Sequence, residues 1–213
     1  RIPNTFRRLF AEGTFNAAFI PSYSQEKLKG EKDGKKFADE VFSLLLFVLF
    51  FLILLVEIFA PFLVYLIAPG FYESPEKFSL ATEFTRITFP FLLFVCLSSM
   101  LAGILNTNNK FAVAAAAPII LNLILILSMV LSFYLNQNFA RNLSIGVTLS
   151  GIFQLIILFI FTKKFYFPSI KFFFKIEKSL KNFFKKLMPS IFSSGITQIN
   201  ILIGTIIASF QSG

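Results

Sequence analysis

Residues 41–68 read VFSLLLFVLFFLILLVEIFAPFLVYLIA, 28 positions with a single charge, Glu57. A run this long and apolar covers a hydrocarbon core of roughly 30 Å as a helix rising about 1.5 Å per residue. No water reaches that depth to satisfy backbone N–H and C=O groups, so the segment must be helical. Four more runs follow, at 87–105, 111–135, 143–162 and 187–210, none of them carrying a charge. Across the chain 56% of residues are hydrophobic and the mean hydropathy is +0.77. Those values exclude a soluble domain of this length and predict a polytopic helix bundle.

A sixth helix, over about 3–23, is weaker by hydropathy because it carries Arg7, Arg8, Glu12 and Asn16 among Phe, Ala, Leu and Ile. It is read as a span lining a wet interior. Asn4, Thr5, Arg8 and Glu12 share one helical face, and Arg8 and Glu12 are spaced to pair. Arg7 points about 100° away from Arg8. Charge at mid-bilayer costs at least roughly 2.5 kcal/mol per residue. Two placements fit the geometry: the arginines line a polar cavity, or they snorkel to the outer interface. The expected spans are therefore about 3–23, 41–68, 79–105, 111–135, 143–162 and 187–210.

The loops alternate in charge. Residues 24–40 carry Lys27, Lys29, Lys32, Lys35 and Lys36, and residues 163–186 carry eight lysines against Glu177. Residues 69–78 hold one lysine and two glutamates, and 136–142 hold only Arg141. Lysine-rich loops mark the cytoplasmic side, which works only if all six helices cross. The net charge of +9 is thus a topology signal and not a nucleic-acid footprint. In the last basic loop, apolar residues at helical spacing among lysines predict an amphipathic helix over about 171–186, lying on the inner surface against anionic lipids; the alternative is a solvated basic connector.

The final span carries a stripe about 120° wide formed by Ser190, Ser193, Ser194, Thr197, Asn200, Gly204, Ala208 and Gln211. It is read either as a cavity wall or as a close-packing face. Asn122 and Gln154 are expected to hydrogen-bond between helices. Glu57, Glu83 and Arg86 are expected at the outer interface. Pro21, Pro61, Pro90, Pro118 and Pro189 are expected to bend or end helices. With no histidine, histidine catalysis and histidine metal ligation are excluded, and the one cysteine, Cys96, reads as a core thiol. No nucleophile–base pair, metal cluster, phosphate loop or nucleotide motif is visible, so the chain is expected to be no enzyme and to need no cofactor.

The run Arg1-Ile2-Pro3-Asn4, Arg7-Arg8-Leu9-Phe10-Ala11-Glu12-Gly13, Phe15 and Ala18-Phe19-Ile20-Pro21 closely resembles the second transmembrane helix of the MurJ/MviN lipid II flippases. Ala68-Pro69-Gly70-Phe71, Arg86-Ile87-Thr88-Phe89-Pro90, Ala102-Gly103-Ile104-Leu105-Asn106-Thr107, Ala117-Pro118 with Asn122, and Gln198-Ile199-Asn200 through Ala208-Ser209-Phe210 fit in the same order. The resemblance implies an all-α fragment holding the second to seventh helices, the amino-terminal lobe region, of a fourteen-helix exporter related to the multidrug and polysaccharide exporters. It implies translocation of the lipid-linked peptidoglycan precursor (undecaprenyl-diphosphate-linked muropeptide) to the outer leaflet of the bacterial inner membrane by alternating access. Arg7 and Arg8 then match cavity arginines and Glu12 a residue near the outer gate; Asn4, Ser194, Thr197 and Asn200 join the cavity. At Gly204 relatives often carry Asn or Asp, which leaves a gating or cation role there in doubt. Expected partners are lipid II, membrane lipids and cell-wall synthesis or division proteins. Competing expectations are another exporter of the superfamily, moving a polyprenyl-linked polysaccharide or a drug or cation, and a non-transporting scaffold.

Overall fold

The computed structural model describes residues 14–171 and 177–210, except for the side chains of residues 191 and 193–199. Every regular element among them is helical: α1 (Thr14–Lys29), α2 (Glu31–Ile67), a short 3-10 helix (Pro69–Glu73), α3 (Pro75–Thr88), α4 (Phe91–Thr107), α5 (Phe111–Tyr134), α6 (Phe139–Thr162) and α7 (Lys178–Ser209). Among the described residues four stretches are long and apolar enough to cross a membrane, namely Glu31–Ile67, Pro75–Thr107 (α3 with α4), Phe111–Tyr134 and Phe139–Thr162. The chain is an all-helical, multi-pass membrane protein.

Proline chemistry sets the breaks. In α2 the backbone leaves helical geometry at Phe59 (φ −100°, ψ 18°), two residues before Pro61. Pro90 ends α3 and starts α4, so one expected span is two helices meeting at Phe89-Pro90. At 37 residues α2 is roughly 55 Å long, well beyond a hydrocarbon core. Its first turns, rich in charge, therefore stand outside the bilayer.

Polar contacts gather at two ends. At the lysine-rich end Lys27 Nζ donates to Asn108 Oδ1 at 3.0 Å, joining the first basic loop to the α4–α5 turn. Lys36 pairs with Glu177 at 2.5 Å. Asp39, only 2% exposed, is the anchor of this end. Its Oδ1 accepts from the Tyr166 hydroxyl and from the Ser169 N–H, both at 2.9 Å, and its Oδ2 lies 3.6 Å from Lys171 Nζ. Ser43 Oγ accepts from the Lys171 N–H at 2.9 Å and donates to the Asp39 carbonyl at 2.7 Å. Burial first, then the Asp39 charge, raises the Tyr166 hydroxyl pKa far above its ordinary value, so this group stays a donor. At the opposite end Arg141 Nε meets Glu83 Oε1 at 3.0 Å, Arg86 Nε donates to the Glu57 carbonyl at 3.1 Å, and the Gly70 N–H donates to Ser209 Oγ at 3.1 Å. From α2 onward the chain passes between these ends with each of α2, α3–α4, α5, α6 and α7.

The core has two parts. On the lysine-rich side Phe19, fully buried, stacks on Phe15 (5.3 Å), Tyr23 (5.6 Å) and Phe37 (6.0 Å), while Phe183 meets it edge-on at 6.4 Å. Met100, Leu101, Ile104 and Leu105 of α4 close that cluster. Toward the other end Leu49, Val56, Phe89, Phe91, Leu92, Val95 and Cys96 form a second one. α4 belongs to both and packs against α1, α2, α5 and α6, whereas α5 packs on α6 and, less extensively, on α4. Outward-facing residues of α2, α5 and α6, such as Phe51, Ile58, Leu123, Ile126 and Phe153, are exposed and apolar. Such a surface suits lipid.

One expectation is corrected. Of the amphipathic surface helix expected over 171–186, residues 172–176 lie outside the described residues, and from Lys178 onward the segment does not stand apart from the last expected span, since Lys178–Ser209 is one helix with Pro189 inside it. Leu180, Phe183 and Leu187 are buried in the aromatic cluster. The apolar face found protein rather than lipid, because the edges of Phe15, Phe19 and Phe37 offered Phe183 a closed partner.

Two outcomes follow. Cys96, 1% exposed, should resist maleimide in membranes until the protein is denatured; fast labelling would contradict the second cluster. Asp39→Ala leaves the Tyr166 hydroxyl and the Ser169 N–H without their acceptor, a loss of about 1–3 kcal/mol. Melting of the detergent-solubilised full-length protein should fall by several degrees, with Asp39→Asn, which keeps an acceptor oxygen, falling less.

Candidate functional site

A cavity of about 430 Å³ opens among α1, α4, α5 and α6. Its polar lining is Asn16, Ser98, Ser99, Asn106 and Gln154, set among Ala102, Ala114, Ala115 and Ala117. The local sequence explains the space. Alanines on α4 and α5 leave room that larger side chains would fill. Pro118, also in the lining, has no N–H, so the Ala114 carbonyl four residues earlier loses its helical donor.

Asn16 is fixed from one side only. Its Nδ2 donates to the Ser99 carbonyl at 3.1 Å and to Ser99 Oγ at 3.3 Å. Its Oδ1 is buried without a donor, as is Ser98 Oγ. Gly103 makes this approach possible: a Cβ there would stand 2.6 Å from Asn16 Oδ1 and 2.9 Å from Phe19 Cδ1. Buried polar atoms normally find partners. Here the unused acceptor capacity belongs to residues bordering a cavity large enough for several waters. No Asp, Glu, Lys or Arg stands among the described lining residues. The cavity can therefore hydrate or hydrogen-bond a neutral polar group, but its described walls supply no cation for a phosphate.

The residues expected at the site divide. Asn4, Arg7, Arg8 and Glu12 lie outside the described residues. Ser194 and Thr197 belong to α7, and their side chains also lie outside what is described. Asn200 is exposed on α7 and does not line the cavity. A Cβ at Gly204, one turn on, would meet nothing within 4 Å. Asn200 is thus exposed and Gly204 is covered by no described residue. Gln154 is buried at the cavity, with no interhelical bond to another described residue, and Asn122 is exposed. The expected Asn122 bond is corrected for a simple reason: it lies on the face of α5 that no described helix covers. Glu57, Glu83 and Arg86 gather at the end opposite the lysines, as expected of interface residues.

Ser98 and Ser99 escaped sequence reasoning. The only signal was a polar pair inside an otherwise apolar run, which is also how serines that merely bond back to a carbonyl of the preceding helical turn look. Asp39 was hidden among the charges of a basic loop, although it lies two residues before the apolar stretch.

The family model described as lipid II flippase MurJ matches residues 1–213. The protein of Rickettsia prowazekii (strain Madrid E) called probable lipid II flippase MurJ is 39% identical over 216 residues, which cover 100% of this chain and 42% of that protein. A protein of the same description from Rhizobium meliloti (strain 1021) is 39% identical over 221 residues, covering 100% of this chain and 41% of the relative. A solved structure described as lipid II flippase MurJ in an inward closed conformation superposes with a TM-score of 0.81 at 28% identity, over 99% of this chain and 43% of its own. The chain thus spans less than half the length of these relatives. Agreement along its whole length, in sequence and in helix arrangement alike, means that this chain belongs to the lipid II flippase MurJ family.

Proposed function

We propose that this chain is part of a transporter that moves lipid II, the lipid-linked peptidoglycan precursor, from the inner to the outer leaflet of the bacterial inner membrane by alternating access. The whole-length match to the flippase family carries this reading. The separation of lysine-rich and lysine-poor ends supports it by giving the chain a fixed orientation across the bilayer.

Flipping needs no covalent chemistry. It needs a path that hides a charged headgroup from hydrocarbon while the lipid tails stay in the membrane. In this reading Arg7 and Arg8 meet the diphosphate, because the guanidinium fork pairs two phosphate oxygens at once. Asn4, Ser194, Thr197 and Asn200 supply neutral donors and acceptors along the route, and Glu12 stands at the outer gate. An inside-negative potential biases the movement of protein charge by about 2.3 kcal/mol per elementary charge per 100 mV. The lysine-rich end holds anionic lipid headgroups, and cell-wall synthesis or division proteins are the expected protein partners.

In the full-length protein Arg8→Ala should abolish support of growth in cells depleted of their own flippase, at an unchanged level in the membrane. Loss of one charged hydrogen bond is about 1.5–3 kcal/mol, so transport should drop at least ~tenfold. Arg8→Lys, which keeps the charge without the fork, should lie between. Growth at the unmodified rate with Arg8→Ala would remove the arginine from the site.

A further inference from the structure

The outer end of α7 meets the 3-10 helix after α2 more closely than ordinary side-chain packing allows. A Cβ built on Gly70 would lie 2.2 Å from the Ser209 carbonyl oxygen, 2.5 Å from its carbon and 2.8 Å from the Phe210 nitrogen. These are backbone atoms, which cannot swing aside as a side-chain tip would. Gly70 is therefore required for the contact itself. Ser209 completes the join: its hydroxyl donates to the Ile206 carbonyl at 2.7 Å, and its oxygen accepts from the Gly70 N–H at 3.1 Å. With its one proton committed inside α7, the hydroxyl can only accept from the glycine.

Beside this join Val64, Ile67, Ala68, Phe71, Ala81, Thr205 and Ala208 line an open, mostly apolar groove of about 360 Å³ that side chains do not fill. A neutral hydrogen bond and a backbone-on-backbone approach join the two elements beside that groove, and breaking one neutral hydrogen bond costs only about 0.5–1.5 kcal/mol. At the lysine-rich end, by contrast, α7 is held by Leu180, Phe183 and Leu187 in the aromatic cluster. The helix is thus seated in an aromatic cluster at its inner end and joined through one hydrogen bond and a backbone approach at its outer end, while no described residue covers Gly204 between them.

We propose that Gly70 and Ser209 form an outer latch, closed here, whose release swings the outer end of α7 away from the α2–α3 connection and opens the transport path to the outside. The proposal rests on the transport reading above. Closed, backbone lies on backbone and the outer end is sealed. Open, the Gly70 N–H and the Ser209 hydroxyl exchange each other for water, so the two states stand close in free energy. That near balance is what an alternating device needs.

The test uses the full-length protein in a cysteine-free background, with Cys96→Ala, in intact cells. Ala68→Cys reports latch opening by its rate of reaction with a membrane-impermeant maleimide added outside. Ser209→Ala should raise that rate about two- to tenfold, the weight of one net hydrogen bond. Gly70→Ala should raise it about five- to hundredfold, because the contact cannot close over a methyl group. Ser209→Ala disturbs no backbone contact and decides the matter by itself if Gly70→Ala fails to reach the membrane. Linking Ala68→Cys to Ala208→Cys with a short bifunctional thiosulfonate should stop lipid II transport, and reductant should restore it. Unchanged labelling with Ser209→Ala, or full transport by cross-linked protein, overturns the latch. If the unmodified protein moves no lipid II, the transport reading fails, while the labelling rates still report whether the latch opens.

Discussion

Hydrocarbon excludes charge and unpaired backbone, and the architecture follows from that exclusion. Apolar stretches cross as helices because only an internal hydrogen-bond ladder satisfies the peptide groups there. Lysines then have to collect where the helices emerge, and the lysine-rich loops, 24–40 and 163–186, fall on the same side. Once Lys27 meets Asn108, and Tyr166 and Ser169 meet Asp39, three connections distant in sequence become one polar cap. The opposite cap, with Glu83 on Arg141 and Arg86 on the Glu57 carbonyl, is sparser. The difference between the caps orients the molecule.

Between the caps, helix association cannot draw on the hydrophobic effect, since lipid tails are as apolar as leucine. Fit has to decide it. Phe19 stacks with three rings, and α4 supplies a column of Met, Leu and Ile behind them. Where side chains shrink, contact is lost and space appears. The alanines of α4 and α5 and the break at Pro118 make a cavity, bordered by the amide of Asn16 and the hydroxyl of Ser98 with unused bonding capacity. Rigid aromatic packing on one side of α1 and an open polar space on the other give one helix both an anchor and a working face.

Much of this was legible in the chain. Runs such as 41–68 can hardly be anything but spans, and proline positions foretold the breaks near Phe59 and at Phe89-Pro90. Partner identity was not legible. A helix of lysines and phenylalanines reads the same whether its apolar side meets lipid or protein, and only the presence of Phe15, Phe19 and Phe37 decided for Phe183. Likewise a single amide in an apolar run predicts a bond, but Asn122 and Gln154 differ in burial because α5 is covered on one face alone. The arginine pair that dominates the sequence reading lies in residues the structure does not describe, so its role rests on chemistry and kinship.

By itself the sequence determined the helical class, the lysine-rich and lysine-poor ends and the family, because hydropathy, charge alternation and motif order are properties of the chain read one residue at a time. Only the tertiary structure decided that Asp39 ties the α6–α7 connection to α2, that Asn16 and Ser98 border a cavity, and that Gly70 touches the backbone of Ser209. Those facts join residues from 82 to 139 positions apart. Separations of that size are closed by packing geometry, which no local pattern encodes.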